Sequence, residues 1–177
     1  MGSLGKSQAP VLNLLLAVSY QYWAVPMLLG AVALAPFSAI AAEAEPPIQS
    51  LSAQLAAADQ SFRQGQLQHH KGNLEAALAL YSQAIELNSE HVLAYVARGG
   101  LLGRLERYTA AIADYNAALE INPELAGAYG GRGLARYRSG ETTAGARDLL
   151  HAAHIYRDQD RPSEYYSTLR VIQQLDP

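Results

Sequence analysis

Hydrophobic and polar positions follow different rules on the two sides of residue 42. From Ser7 to Ala42 no side chain carries a formal charge, and Ala24 to Ala35 (AVPMLLGAVALA) is a compact apolar run. Beyond Glu43, charged and apolar residues interleave to the end of the chain. Near the carboxyl end Tyr165, Leu169 and Ile172 fall on one face at helical spacing, and Glu164, Arg170 and Gln174 fall on the other. Pro162 suits a first helical turn, so Pro162 to Leu175 is predicted to form an amphipathic helix.

Between these ends the pattern repeats every 34 residues. Ala94-Tyr95-Val96-Ala97-Arg98-Gly99 aligns without gaps on Ala128-Tyr129-Gly130-Gly131-Arg132-Gly133, and the match runs on through Asp114/Asp148 and Ala118/Ala152. The same step in the other direction brings Gly65, Ala77, Tyr81 and Ala84 under Gly99, Ala111, Tyr115 and Ala118. Three copies result: 58–91, 92–125 and 126–159. Small residues at repeat positions 8, 20 and 27 let helices approach closely, and aromatic and aliphatic side chains fill the remaining space. Gly72, Gly140 and the Glu106-Arg107 pair occupy the turns inside each copy, and Pro123 sits at a boundary.

These copies resemble the tetratricopeptide repeat (TPR) family. The middle copy carries the likeness best, with Tyr95 at position 4, Gly99 and Ala111 at 8 and 20, Tyr115 at 24, Ala118 at 27 and Pro123 at 32. The resemblance implies an all-α, right-handed solenoid of three helix–turn–helix repeats, closed by a capping helix over 160–177. Residues 42–57 are then a linker and helix lead-in, with Leu51 to Ala58 extending the first helix.

Arg98 and Arg132 stand at position 7, where most family members have leucine, and Asp114 and Asp148 stand at position 23. The first copy has Gln64 and Leu80 instead. Charges that come and go together predict two ion pairs, Arg98–Asp114 and Arg132–Asp148, each bridging the two helices of a repeat.

Family members bind peptides or protein segments along the surface lined by the first helices. Carried onto this chain, the first strip is Asp59, Phe62, Gln66, His69 and His70. The second is Leu93, Val96, Gly100, Gly103 and Arg104, and the third Gly127, Gly130, Leu134, Tyr137 and Arg138. The chaperone-binding branch clamps a terminal carboxylate with Lys, Asn and Arg; the matching positions here are Phe62, Gln66, Ala97, Gly127 and Gly131, so no carboxylate clamp is expected. Gly100, Gly103, Gly127 and Gly130 leave two readings open. Each mid-helix glycine costs roughly 1 kcal/mol against alanine, so they mark either a poorly optimised helix, as Gly131 off this surface suggests, or a smooth floor rimmed by Arg104, Tyr137 and Arg138.

Composition narrows the chemistry. The chain has 177 residues, a net charge of −3 and no cysteine, which excludes thiolate chemistry, and the acidic balance argues against a nucleic-acid partner. His151-x-x-His154 has metal-compatible spacing, yet one helix face spreads such ligands along its length instead of closing them round an ion. No G-x-S-x-G, H-E-x-x-H or complete phosphate loop occurs. The expectation is a non-enzymatic module without metal or cofactor, whose partner is another protein or peptide.

The amino-terminal segment, 1–41, has two readings. Ala39-x-Ala41 fits the small–x–small pattern of a cleaved signal peptide. Val11 to Ala35 is long enough to cross a membrane as an uncleaved anchor, against which stands Tyr20-Gln21-Tyr22-Trp23, whose rings favour the interface. Either sends the repeats across a membrane or fixes them to it. The style of copies two and three resembles repeats common in cyanobacteria, which implies periplasm or thylakoid lumen. The functional expectations are an exported scaffold or assembly factor or, alternatively, a membrane-anchored TPR subunit of a larger, photosynthetic complex.

Overall fold

The computed structural model describes residues 47–175. The segment read as a signal peptide or anchor, with its apolar residues 11–35, lies outside them. Among the described residues the regular elements are helices: α1 (Pro47–His70), α2 (Leu74–Leu87), α3 (Val92–Arg104), α4 (Tyr108–Ile121), α5 (Ala126–Arg138), α6 (Thr142–Asp158) and α7 (Pro162–Leu175). α1 begins inside the segment expected to be linker, because Pro47 is tolerated in a first turn and the Leu-, Gln- and Ala-rich stretch after it favours helix.

Helices pair in chain order, α1 on α2, α3 on α4 and α5 on α6. Successive pairs touch through α2·α3 and α4·α5, and the first helices α3 and α5 also meet. The small positions explain this close stacking. Ala77, Ala84, Ala94, Ala111, Ala118, Ala128 and Ala152 have no exposed surface. Where α5 crosses α6 the backbones themselves meet: a Cβ on Gly145 would stand 2.6 Å from the Gly133 carbonyl oxygen. Two apolar clusters fill the junctions. Ala77, Tyr81 and Leu101 join the first pair to the second, and Leu102, Tyr115, Leu119 and Ala128 join the second to the third.

The three turns inside the pairs share a left-handed residue, Gly72 (φ 82°), Glu106 (φ 61°) and Gly140 (φ 97°). Glycine adopts this conformation freely, whereas glutamate pays a steric penalty there. At the junctions, the Asn88 and Asn122 side chains accept from the Glu90 and Glu124 amides at 3.0 and 3.1 Å. α7 packs on α6 and has no fully buried residue. Its Tyr165, Leu169 and Ile172 are half-buried while Arg170 and Gln174 are exposed. The terminal helix thus covers one apolar face and offers water the other.

Candidate functional site

The charged pairs expected from the repeat come together. Arg98 donates from Nε and Nη2 to the two Asp114 oxygens at 2.8 and 2.7 Å, and Arg132 does the same to Asp148 at 2.8 and 2.8 Å. Such bidentate pairing is the strong form of the interaction. It raises the Arg98 and Arg132 guanidinium pKa values above their ordinary range, chiefly through these hydrogen bonds and against the opposing effect of burial. Each arginine also reaches backwards. Arg98 Nη1 donates to the Ser82 hydroxyl at 2.9 Å, and Arg132 Nη1 donates to the Asn116 carbonyl oxygen at 2.8 Å. The pairs therefore tie three helices, not two. Ser82 and Asn116 both stand at repeat position 25, and that shared polar position was the available signal. Asp148 further accepts from Arg136 Nη1 at 2.7 Å, which has no counterpart on Asp114.

The groove residues sort into three groups. Arg104, Leu134 and Arg138 line one pocket of about 140 Å³ with Gly100 and Gly103, closed below by the Tyr115 ring. His69 and His70 line a second pocket of about 300 Å³, and Arg104 is its remaining wall. Arg104 Nη1 donates to His69 Nε2 at 2.8 Å. His70 Nδ1 lies 2.7 Å from the Gln66 carbonyl oxygen, so its proton sits on Nδ1; the Gln66 side chain is exposed.

Phe62, Val96 and Tyr137 are placed differently from the expectation of open groove residues. Phe62 is half-buried, its ring 4.9 Å from His91 and 5.8 Å from Tyr81, so it serves mainly to pack the first junction. Val96 packs half-buried on the second core. Tyr137 turns towards the terminal helix, where its hydroxyl donates to the Leu175 carbonyl. In each case a neighbouring repeat or cap covers the side chain, which position within one repeat does not reveal. Asp59 stands 3.3 Å from His91 Nε2, while His91 Nδ1 accepts from the Ala94 amide at 3.2 Å and caps α3.

The glycines divide as well. A Cβ on Gly100, Gly103, Gly127 or Gly130 would meet nothing nearer than 3.5, 4.0, 3.7 and 3.9 Å, so packing does not demand glycine at these four positions. Gly131 is different. It lines the Arg104–Arg138 pocket, and a Cβ there would lie 2.3 Å from the Tyr115 ring. The expectation that Gly131 lies off the groove is corrected: α4 presses its aromatic ring onto that backbone.

His151 and His154 are exposed, and His151 meets the Tyr129 ring edge-on at 4.3 Å. Among the described residues no group of three or more His, Asp or Glu side chains is placed to hold a metal ion.

With this geometry described, the relatives can be compared. Family models described as "Tetratricopeptide repeat" and "TPR repeat" match residues 55–91 and 104–140. None of the curated proteins compared with this chain matches it. The TPR domain of Arabidopsis OM64 is 21% identical, with a TM-score of 0.61 over 68% of this chain and 98% of that one. The first TPR of Spaghetti (RPAP3), bound to the HSP90 peptide SRMEEVD, is 21% identical, with a TM-score of 0.60 over 67% and 92%. The TPR2B domain of yeast Sti1, in a complex with an Hsp70 peptide, is 22% identical, with a TM-score of 0.56 over 65% and 98%. Tetratricopeptide repeat models thus match this chain over 55–91 and 104–140, and its described residues stack as an all-helical solenoid with the fold of these domains.

Proposed function

We propose that this chain is a non-catalytic interaction module, a scaffold or assembly factor that holds a segment of another protein against its first helices. The observation that carries the reading is the pocket formed by Gly100, Gly103, Arg104, Leu134 and Arg138, which joins two successive first helices. Solenoid surfaces of this kind present an extended face to a partner. Two of the similar domains are described with chaperone peptides bound, which supports a peptide or protein partner in general. The residues that would form a terminal-carboxylate clamp are absent from Phe62, Gln66, Ala97, Gly127 and Gly131, so the chaperone tail itself is not the partner proposed.

The test is site-specific photocrosslinking in the native host, with the reactive residue at Leu134 in the pocket or at exposed Glu120 on α4. A discrete adduct from Leu134 and none from Glu120 supports the reading, and the reverse overturns it.

The apolar stretch before Glu43 supports export to a periplasm or thylakoid lumen, and the style of the second and third repeats supports a cyanobacterial setting. Mass spectrometry of the native protein checks this. A mature end near Ala42 favours the exported module, and an intact Met1 end in the membrane fraction favours the anchored subunit.

A further inference from the structure

We propose that the groove selects an acidic segment of its partner, seating a carboxylate between Arg104 and Arg138. This rests on the groove reading above and names the chemistry it would recognise.

Charge distribution carries the argument. Four carboxylates are committed to other arginines: Asp114 to Arg98, Asp148 to Arg132 and Arg136, Asp158 to Arg157, Glu164 to Arg161. Arg138 makes no ion pair among the described residues, and Arg104 spends its one contact on a histidine nitrogen. That nitrogen must offer a lone pair, so it carries no proton and leaves the guanidinium charge uncompensated.

The two edges of the stack also differ in charge. Lys71, Arg104, Arg107 and Arg138 stand at the turns inside the pairs, where the first helices end, together with Glu75, Glu106 and Glu141. Glu86, Glu90, Glu120, Glu124, Asp158 and Asp160 cluster at the opposite ends of the same helices. In antiparallel pairs these sets lie on opposite edges, so Arg104 and Arg138 stand on the less acidic edge of a chain of net charge −3. That difference favours the approach of an acidic partner at Arg104 and Arg138 over the other edge.

Cations at a helix carboxyl end also favour the helix dipole, and this alone would place arginines in the last turns of α3 and α5. It does not account for the open floor beside them. Gly100 and Gly103 have room for a Cβ, yet carry none, and so leave a partner's main chain free to approach the two guanidinium groups.

Panning a random twelve-residue peptide library on the full chain tests the inference, followed by binding of the enriched peptides to the wild type and to Arg104→Gln/Arg138→Gln. Both arginines are exposed, and circular dichroism checks that the variant is folded. Enrichment of Asp and Glu, with at least tenfold weaker binding by the variant and a matching loss at high salt, is the expected result. Enriched peptides that are neutral or basic, or that bind the variant equally well, overturn the acidic inference and leave the groove reading standing. No enrichment at all overturns both. A single-stranded RNA arm covers the remaining source of anions: RNA binding lost in the variant, without acidic peptides, also overturns the proposal.

Discussion

Arg98 bonds Asp114 of its own repeat and Ser82 of the repeat before it, and the two partners stand at equal distances along the chain on either side. Arg132 repeats the arrangement with Asp148 and Asn116. One guanidinium thus fixes the helices within a repeat and the register of the repeat against its predecessor. The series ends at the cap, where the corresponding positions are Leu150 and Tyr166, both exposed.

The two staples differ in what a mutation leaves behind. Arg98→Leu strands the Asp114 carboxylate, which is 8% exposed, without a cation. The expected cost is about 3 to 5 kcal/mol, measured by urea unfolding. Arg132→Leu leaves Asp148 bound to Arg136, so its cost should be smaller, about 1 to 3 kcal/mol. Arg98→Leu/Asp114→Leu should recover much of the single-variant loss. A double-mutant cycle showing no coupling would remove the staple from the account.

Glycine-to-alanine exchanges separate packing from propensity on one helix. Gly130→Ala places its methyl 3.9 Å from Ala152 and should stabilise the chain by up to about 1 kcal/mol. Gly131→Ala drives the methyl into the Tyr115 ring, which is 6% exposed, and should cost about 1 to 3 kcal/mol. Equal midpoints for the two variants in thermal unfolding would contradict this placement of Tyr115.

The middle turn offers a stabilising change. Glu106 holds φ 61° where its counterparts are Gly72 and Gly140. Glu106→Gly should gain roughly 1 kcal/mol by relieving the left-handed strain. Gly140→Ala should lose a similar amount, since open space surrounds that glycine and only backbone strain acts. Chemical denaturation of both variants reads the difference directly.

Burial pushes the Tyr115 phenol up from 10.0 to about 12. The unfolded chain therefore releases this proton before the folded one does. The stability involved is fully present below pH 10 and is lost as pH rises through about 12. Wild type should lose about 3 kcal/mol more than Tyr115→Phe across that interval. Parallel alkaline curves for the two proteins would mean that the phenol is not buried as described.

The 34-residue period, the small residues at the helix crossings and the Arg98–Asp114 and Arg132–Asp148 pairs are properties of spacing along the chain. The amino-acid sequence determined them without help, because a repeat's internal contacts recur at fixed separations. Arg104, Leu134 and Arg138 were grouped on one surface by the resemblance to the tetratricopeptide repeat family. Tertiary structure alone decided what each repeat does to its neighbours. Tyr137 was spent on the Leu175 carbonyl, Phe62 was folded into the first junction, and Tyr115 was laid across Gly131. The physical cause is shared: these contacts depend on the rotation and separation of one helix pair on the next. Those quantities emerge only when side chains from several repeats compete for the same volume.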